Sequence, residues 1–157
     1  MIAGDNIFEL IANQAPRYIQ FAVEAAGSDL LTLIKSRAFP STASEGGDAD
    51  GNAIKRGKAY SPAWAKVRKD KGRQNQYVDL QFTDNLSRNG IKGSETPDGY
   101  VIDFTNAQFT ERARGLEERY NQIIFAASKE EADKTLDTIE RLFFRQINDT
   151  VNASASI

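Results

Sequence analysis

Residues 60–89 read YSPAWAKVRKDKGRQNQYVDLQFTDNLSRN, and within them the apolar spacing changes from helical to alternating. Ser61 followed by Pro62 is an N-cap with proline at the first helical position, where a missing N–H costs nothing. Trp64, Val67 and the stem of Arg68 then fall at i, i+3 and i+4, a short apolar stripe that predicts Trp64 as a core anchor. Gly72 ends the helix. Val78, Leu80 and Phe82 alternate with Asp79 and Gln81, the period of a strand buried on one face. Thr83 reads as the cap of a one-turn helix with Leu86 inward and Gly90 just past its end. A helix and a strand so close together predict an α+β chain.

Downstream, 91–95 and 100–104 flank Thr96-Pro97-Asp98-Gly99, strong turn chemistry that predicts a β-hairpin. Tyr100, Ile102 and Phe104 share one face of its second strand, and Val101 and Asp103 the other. The tip has no large apolar residue, so Pro97, Asp98 and Gly99 are expected to project from the sheet as an assembly contact. A helix follows from Ala107 to Tyr120 with Phe109, Ala113, Leu116 and Tyr120 in a stripe. Residues 123–125 read as a short buried strand. Ser128 and Glu131 form a capping box for a long closing helix, expected to pack on the sheet. Ala132, Leu136, Ile139, Phe143 and Ile147 make its apolar face, with Leu142 and Phe144 beside it. The tail, residues 152–157, is small and polar and is expected to fray.

Upstream, Ile7, Leu10 and Ile11 are at helical spacing before Pro16, which is expected to interrupt or restart the helix. The pattern resumes from Arg17 to Arg37 through Ile19, Val23, Ala26, Leu30, Leu33 and Ile34. Gly27 and Ser28 weaken the middle and predict a bend there. Tyr18, Phe21 and Leu31 widen the stripe beyond the needs of a lone surface helix. The surplus either packs inside the monomer or meets another subunit. After Pro40, residues 41–52 (STASEGGDADGN) are acidic and glycine-rich, with too little apolar surface to repay ordering, so a mobile loop is expected. Asp48, Asp50 and Asn52 match the start of a calcium loop. However, Ala53 stands where that loop needs glycine and Ala59 where it needs glutamate, so no calcium site is expected.

Two of these stretches resemble a known family. The basic helix, Gly72-Arg73-Gln74 and then Val78-Asp79-Leu80-Gln81-Phe82-Thr83-Asp84-Asn85-Leu86-Ser87 resemble a signature of bacteriophage neck proteins, variously called tail-completion, minor tail or virion morphogenesis proteins. Ile123-Ile124-Phe125-Ala126-Ala127-Ser128-Lys129-Glu130-Glu131 is similar to their short apolar strand followed by a capped, acidic-starting last helix. The two matches come in the family's order and span roughly the C-terminal two-thirds of the chain. Those proteins often carry glycine after the threonine, where this chain has Asp84. The resemblance implies a structural virion protein, the subunit of a commonly sixfold ring at the head–tail joint, acting in tail completion or tail termination. Its partners would be copies of itself, connector- or portal-side neck proteins and tail proteins. DNA would pass through its channel without sequence-specific contact. Assembly would take place in the cytoplasm of the bacterial host.

The whole chain sets bounds on this. At 157 residues, one domain with a real core is expected, and 27% charged residues suit a soluble protein. No apolar run approaches the roughly 20 residues of a membrane span. The N-terminus lacks the basic-then-apolar order of a signal peptide. No cysteine is present, which fits a reducing compartment. The net charge of −2 hides a segregation. Lys55, Arg56, Lys58, Lys66, Arg68, Lys69, Lys71 and Arg73 cluster with one acid, Asp70, and the rest of the chain carries twelve basic residues against twenty-one acidic ones, a balance of −9. The cluster is either a solvated helix face or a contact, and the contact candidates are Lys55, Arg56, Lys58, Lys66, Lys69, Lys71 and Arg73 facing another subunit or DNA.

Catalysis is not expected. There is no histidine, so Ser–His and Cys–His nucleophile systems are out of reach, and glycine-rich phosphate motifs are missing. The pairs Glu117-Glu118 and Glu130-Glu131 are helix neighbours whose side chains diverge by about 100° and suit solvated faces better than acid/base work. No cofactor or metal is expected. A second reading, a nucleic-acid-binding module built on residues 55–73, is weakened by the acidic remainder and by the lack of aromatics there beyond Tyr60 and Trp64.

Overall fold

A computed structural model describes residues 4–40, 45–54, 60–76, 78, 80 and 85–155. Its elements are α1 (Gly4–Ala38), α2 (Pro62–Asp70), a wide π-helical turn (Leu86–Gly90), β1 (Ile91–Thr96), β2 (Gly99–Phe104), α3 (Ala107–Tyr120) and α4 (Lys129–Ala155). The class is α+β as expected, with two long helices and one antiparallel hairpin.

α1 and α4 form an antiparallel pair. The Tyr18 hydroxyl bonds Thr150 Oγ1 at one end, and Arg37 bonds Glu131 at the other. α1 is continuous through Pro16, which was expected to break it. Proline removes only one intrahelical hydrogen bond, and packing along α4 on the far side sustains the helix past that loss. No break occurs at Gly27 either. Glycine is needed there because a Cβ would overlap the ring of Tyr100 from the hairpin. The same ring also excludes a Cβ at Gly93, so Tyr100 lies in a slot that only glycine on α1 and β1 leaves open.

The hairpin pairs Ile91 with Phe104 through to Thr96 with Gly99, and Tyr100, Ile102 and Phe104 share its more buried face. It does not project. It lies against α1, and the closing helix expected on the sheet packs along α1 instead. The reason is area: a two-stranded hairpin is too narrow to cover a 27-residue helix, whereas α1 matches it in length.

The main core gathers at the C-terminal end of α1. Ala38, Phe39, Ile54, Val78, Leu86, Ile91, Phe109, Tyr120 and Ile124 are buried there. Phe125 packs on Phe39 at 5.8 Å and edge-on to Phe104 at 5.6 Å. Val78 and Leu80, the described parts of the expected 78–82 strand, contribute side chains to this core but belong to no strand. Leu80 has φ 53°, which a strand cannot contain. The Thr83 cap lies outside the described residues. α3 has the expected bounds, capped by Asn106 and ended by Asn121 at φ 53°. Residues 123–125 form no strand. The Ile124 and Phe125 N–H groups donate instead to Glu117 Oε1 at 2.7 and 3.0 Å, so one side chain replaces a pairing strand. The capping box is present: Glu131 N–H donates to Ser128 Oγ and Ser128 N–H to Glu131 Oε2. α4 then runs to Ala155, so the segment expected to fray from 152 is helical as far as it is described.

Candidate functional site

The basic cluster falls into two parts. Lys55, Arg56 and Lys58 lie outside the described residues. Lys66, Lys69 and Lys71 are exposed on or just after α2, and Arg73 is half-buried. Ser61 caps α2 as expected, accepting from Trp64 N–H, and Gly72 ends it at φ 67°. The helix is turned differently from the expectation, however. Trp64 is 37% and Val67 39% exposed, while Arg68 is 1% exposed. Arg68 Nε donates to the Gln74 carbonyl at 2.7 Å, and its guanidinium lies 4.6 Å from the Tyr60 ring centroid. A cation satisfied by a carbonyl and an aromatic face is the buried anchor, and the tryptophan is partly exposed at the surface. The stripe of Trp64, Val67 and Arg68 was correctly spaced, but it does not turn inward as a unit.

At the hairpin tip, Pro97 and Asp98 are exposed and Gly99 is half-buried at φ 147°, a backbone that favours glycine. The tip closes a shallow cleft against Pro16, Ile19 and Val23 of α1. Pro97, Asp98 and Gly99 are thus accessible, but as the rim of a helix–hairpin cleft and not as a free finger.

Two further surfaces stand out, of which the sequence had pointed to part of the first through Phe21, one of the residues that widen the α1 stripe. The first is apolar: Phe8, Leu10, Ile19 and Phe21 on α1 and Leu136 and Phe144 on α4 are all exposed. Leu136, placed by its spacing in the closing helix's apolar face, is 63% exposed. The second is acidic. Asp133, Asp137 and Glu140 share an exposed arc of α4 with Leu136 and Phe144, since 133, 136/137, 140 and 144 follow helical spacing. On the adjoining turn Lys129 bonds Asp133 at 2.8 Å and Lys134 bonds Glu130 at 2.7 Å. Those hydrogen bonds raise both lysine pKa values above the ordinary one. Among the described residues no cation contacts Asp137 or Glu140. The acid spacing on α4 was visible in the sequence, but which flank of the stripe faces outward is decided by α1.

Beneath these surfaces, Arg37 is a fixed joint. Its Nε and Nη2 meet the two carboxylate oxygens of Glu131 at 2.8 and 3.1 Å. Nη1 donates to the carbonyls of Gly47 and Ile124, and Nη2 to that of Ala126. Burial pushes the Glu131 carboxyl up, but the hydrogen bonds from Arg37 and Ser128 and the arginine charge outweigh it and hold it below its ordinary value. Asp48 behaves alike. Burial raises it, but donors from Asn52, Gln122 and Asp50 bring it below the usual carboxylate range. The described residues 45–54 therefore form a turn around Asp48, closed by a Gly47–Ala53 bridge. The expectation of a loop with nothing to order it missed this carboxylate. Its oxygens are taken by N–H groups, as an Asx turn requires, and no group of three or more metal-ligating side chains occurs among the described residues. Nor is any helix among them long and apolar enough to cross a membrane.

Compared with known proteins, the chain matches no family model, no curated protein and no solved structure.

Proposed function

We propose that this chain is a structural subunit of a bacteriophage virion, one copy in a closed, sixfold ring at the head–tail joint, where it completes or terminates the tail. Copies of the chain contact one another side by side, connector-side neck proteins and tail proteins bind the two rims, and DNA passes through the channel without sequence-specific contact. The ring is assembled in the host cytoplasm and takes part in no catalysis. The observation that carries the reading is the exposed apolar surface of the α1–α4 pair, where Phe8, Leu10, Ile19, Phe21, Leu136 and Phe144 stand open. Large apolar residues in such number on a small chain point to surfaces covered by other subunits. The resemblance of residues 72–87 and 123–131 to neck proteins supplies the kind of assembly. Sedimentation velocity with electron microscopy of the purified chain, alone and with connector and tail components, tests it. Closed rings or ring-shaped additions to those components are expected. A chain that stays monomeric at high concentration and joins neither component would overturn the reading.

One observation favours a second reading. Trp64 is partly exposed on α2 and shares its row with Lys71 just past the helix end, so a base could stack on the ring while that lysine holds the backbone. A nucleic-acid-binding module would then be monomeric, with DNA affinity that falls steeply with salt and is lost in Trp64→Ala.

A further inference from the structure

We infer that Phe144 of one copy inserts into the cleft between α1 and the hairpin tip of the next copy, and that this contact propagates the ring. The inference rests on the ring reading and deepens it by naming the two surfaces. The cleft has a volume of about 410 Å³. Pro16, Ile19 and Val23 of α1 form its floor, Pro97 walls one side, and Arg17 and Asp98 supply its charge. Ile19 is 47% exposed on that floor, so the apolar surface is uncovered. Phe144 is 52% exposed on α4, with Glu140 and Arg141 one turn earlier at i−4 and i−3. An aromatic ring suits such a cleft, because it buries much area and gives up little conformational freedom.

Charge and height together select a second copy as the occupant. Arg17 and Asp98 are exposed, as are Glu140 and Arg141, and none of the four has an ion-pair partner among the described residues. Each surface thus carries one free charge of each sign. With Phe144 seated, Arg141 meets Asp98 and Glu140 meets Arg17, so no like charges are brought together. The heights agree as well. The ties Tyr18–Thr150 and Arg37–Glu131 both join residues whose numbers add to 168, which puts Phe144 level with Glu24 of its own α1. Ile19 is five residues from Glu24, about 8 Å along the axis of a helix roughly 50 Å long. Copies joined through Phe144 therefore stand side by side with their helix pairs nearly parallel and advance little along the axis. That is the condition for closing a ring instead of winding a filament. Phe144 lines no part of its own chain's cleft, so the contact is heterologous and adds copies in one direction.

The test uses variants of the full chain, each checked by circular dichroism to remain folded. Phe144→Glu removes the anchor and Ile19→Glu blocks the cleft, both at exposed positions. Each alone is expected to sediment as a monomer at concentrations at least about tenfold above those at which the unaltered chain assembles. Mixed together they should give dimers and nothing larger, because one keeps the cleft and the other the anchor. Asp98→Arg should weaken assembly, and adding Arg141→Asp in the same chain should restore it, which relief of a folding defect would not explain. If Phe144→Glu forms rings as readily as the unaltered chain, the inference is wrong while the ring reading survives. Monomeric variants that fail to pair when mixed would put the two residues in separate contacts and overturn it too. If Ile19→Glu assembles normally but no longer binds neck or tail components, the cleft belongs to another protein and the inference falls. If the unaltered chain itself never associates, alone or with those components, both the inference and the ring reading fall.

Discussion

Arg37 connects four segments that the sequence separates by up to 94 residues: the end of α1, the turn at Gly47, the Ile124–Ala126 segment and the start of α4. Truncation to alanine leaves Glu131 as a nearly buried, unpaired carboxylate and three carbonyls without their donor. Arg37→Ala should therefore cost about 3–5 kcal/mol in urea unfolding, and Arg37→Lys should recover only part, because an ammonium cannot span the fork. Glu131 and Asp48 also fix a pH dependence. Both carboxyls are held below their ordinary values in the folded chain. The stability they add is thus complete above the unfolded carboxylate range and is lost as pH falls through their lowered folded values. Thermal melts should show a steep acid limb below the ordinary carboxylate range. Asp48→Asn combined with Glu131→Gln should lower stability at neutral pH and flatten that limb. An acid limb identical in the double variant would remove these two groups from its cause.

At the scale of elements, α2 is the helix whose orientation changes what its residues mean. A fully buried Trp64 would cost about 3–5 kcal/mol on truncation. With a little over a third of the residue exposed, Trp64→Ala should cost less than that, about 1–2 kcal/mol in denaturant melts. Arg68→Ala should cost more, about 2–3 kcal/mol, since it removes a charged hydrogen bond to the Gln74 carbonyl and the stack on Tyr60. A larger loss at Trp64 than at Arg68 would reverse this assignment. The hairpin makes the complementary point. Its register follows from Pro97-Asp98-Gly99, but its position follows from Tyr100 entering the slot between Gly27 and Gly93.

For the whole molecule, the two long helices form an arm whose inner faces meet and whose outer faces are exposed. α1 has 35 residues and α4 has 27, and the main core occupies only one end of the pair. Assembly through such surfaces should combine an apolar attraction that salt does not screen with charge contacts that it does. Raising ionic strength from about 0.1 to 1 M, where the screening length drops from about 10 to 3 Å, should weaken ring formation measured by sedimentation without abolishing it. Complete dissociation would mean that the exposed apolar residues of α1 and α4 add nothing to assembly.

What the amino-acid order determined by itself was local. The caps at Ser61 and Ser128, the stop at Gly72, the hairpin turn and the bounds of α3 each depend on residues within a few positions of one another, and all are present. The absence of histidine and cysteine likewise bounds the chemistry without reference to a fold. Tertiary structure decided everything that depends on which face of an element meets another. It carried α1 through Pro16, because packing along α4 outweighs one lost hydrogen bond. It placed Arg68 inside and Trp64 outside, because the Gln74 carbonyl and Tyr60 satisfy a guanidinium there. It left Leu136 in solvent although its spacing matches the half-buried apolar residues of α4. Periodicity reports that a face is apolar, and only the partner helix determines whether that face is covered.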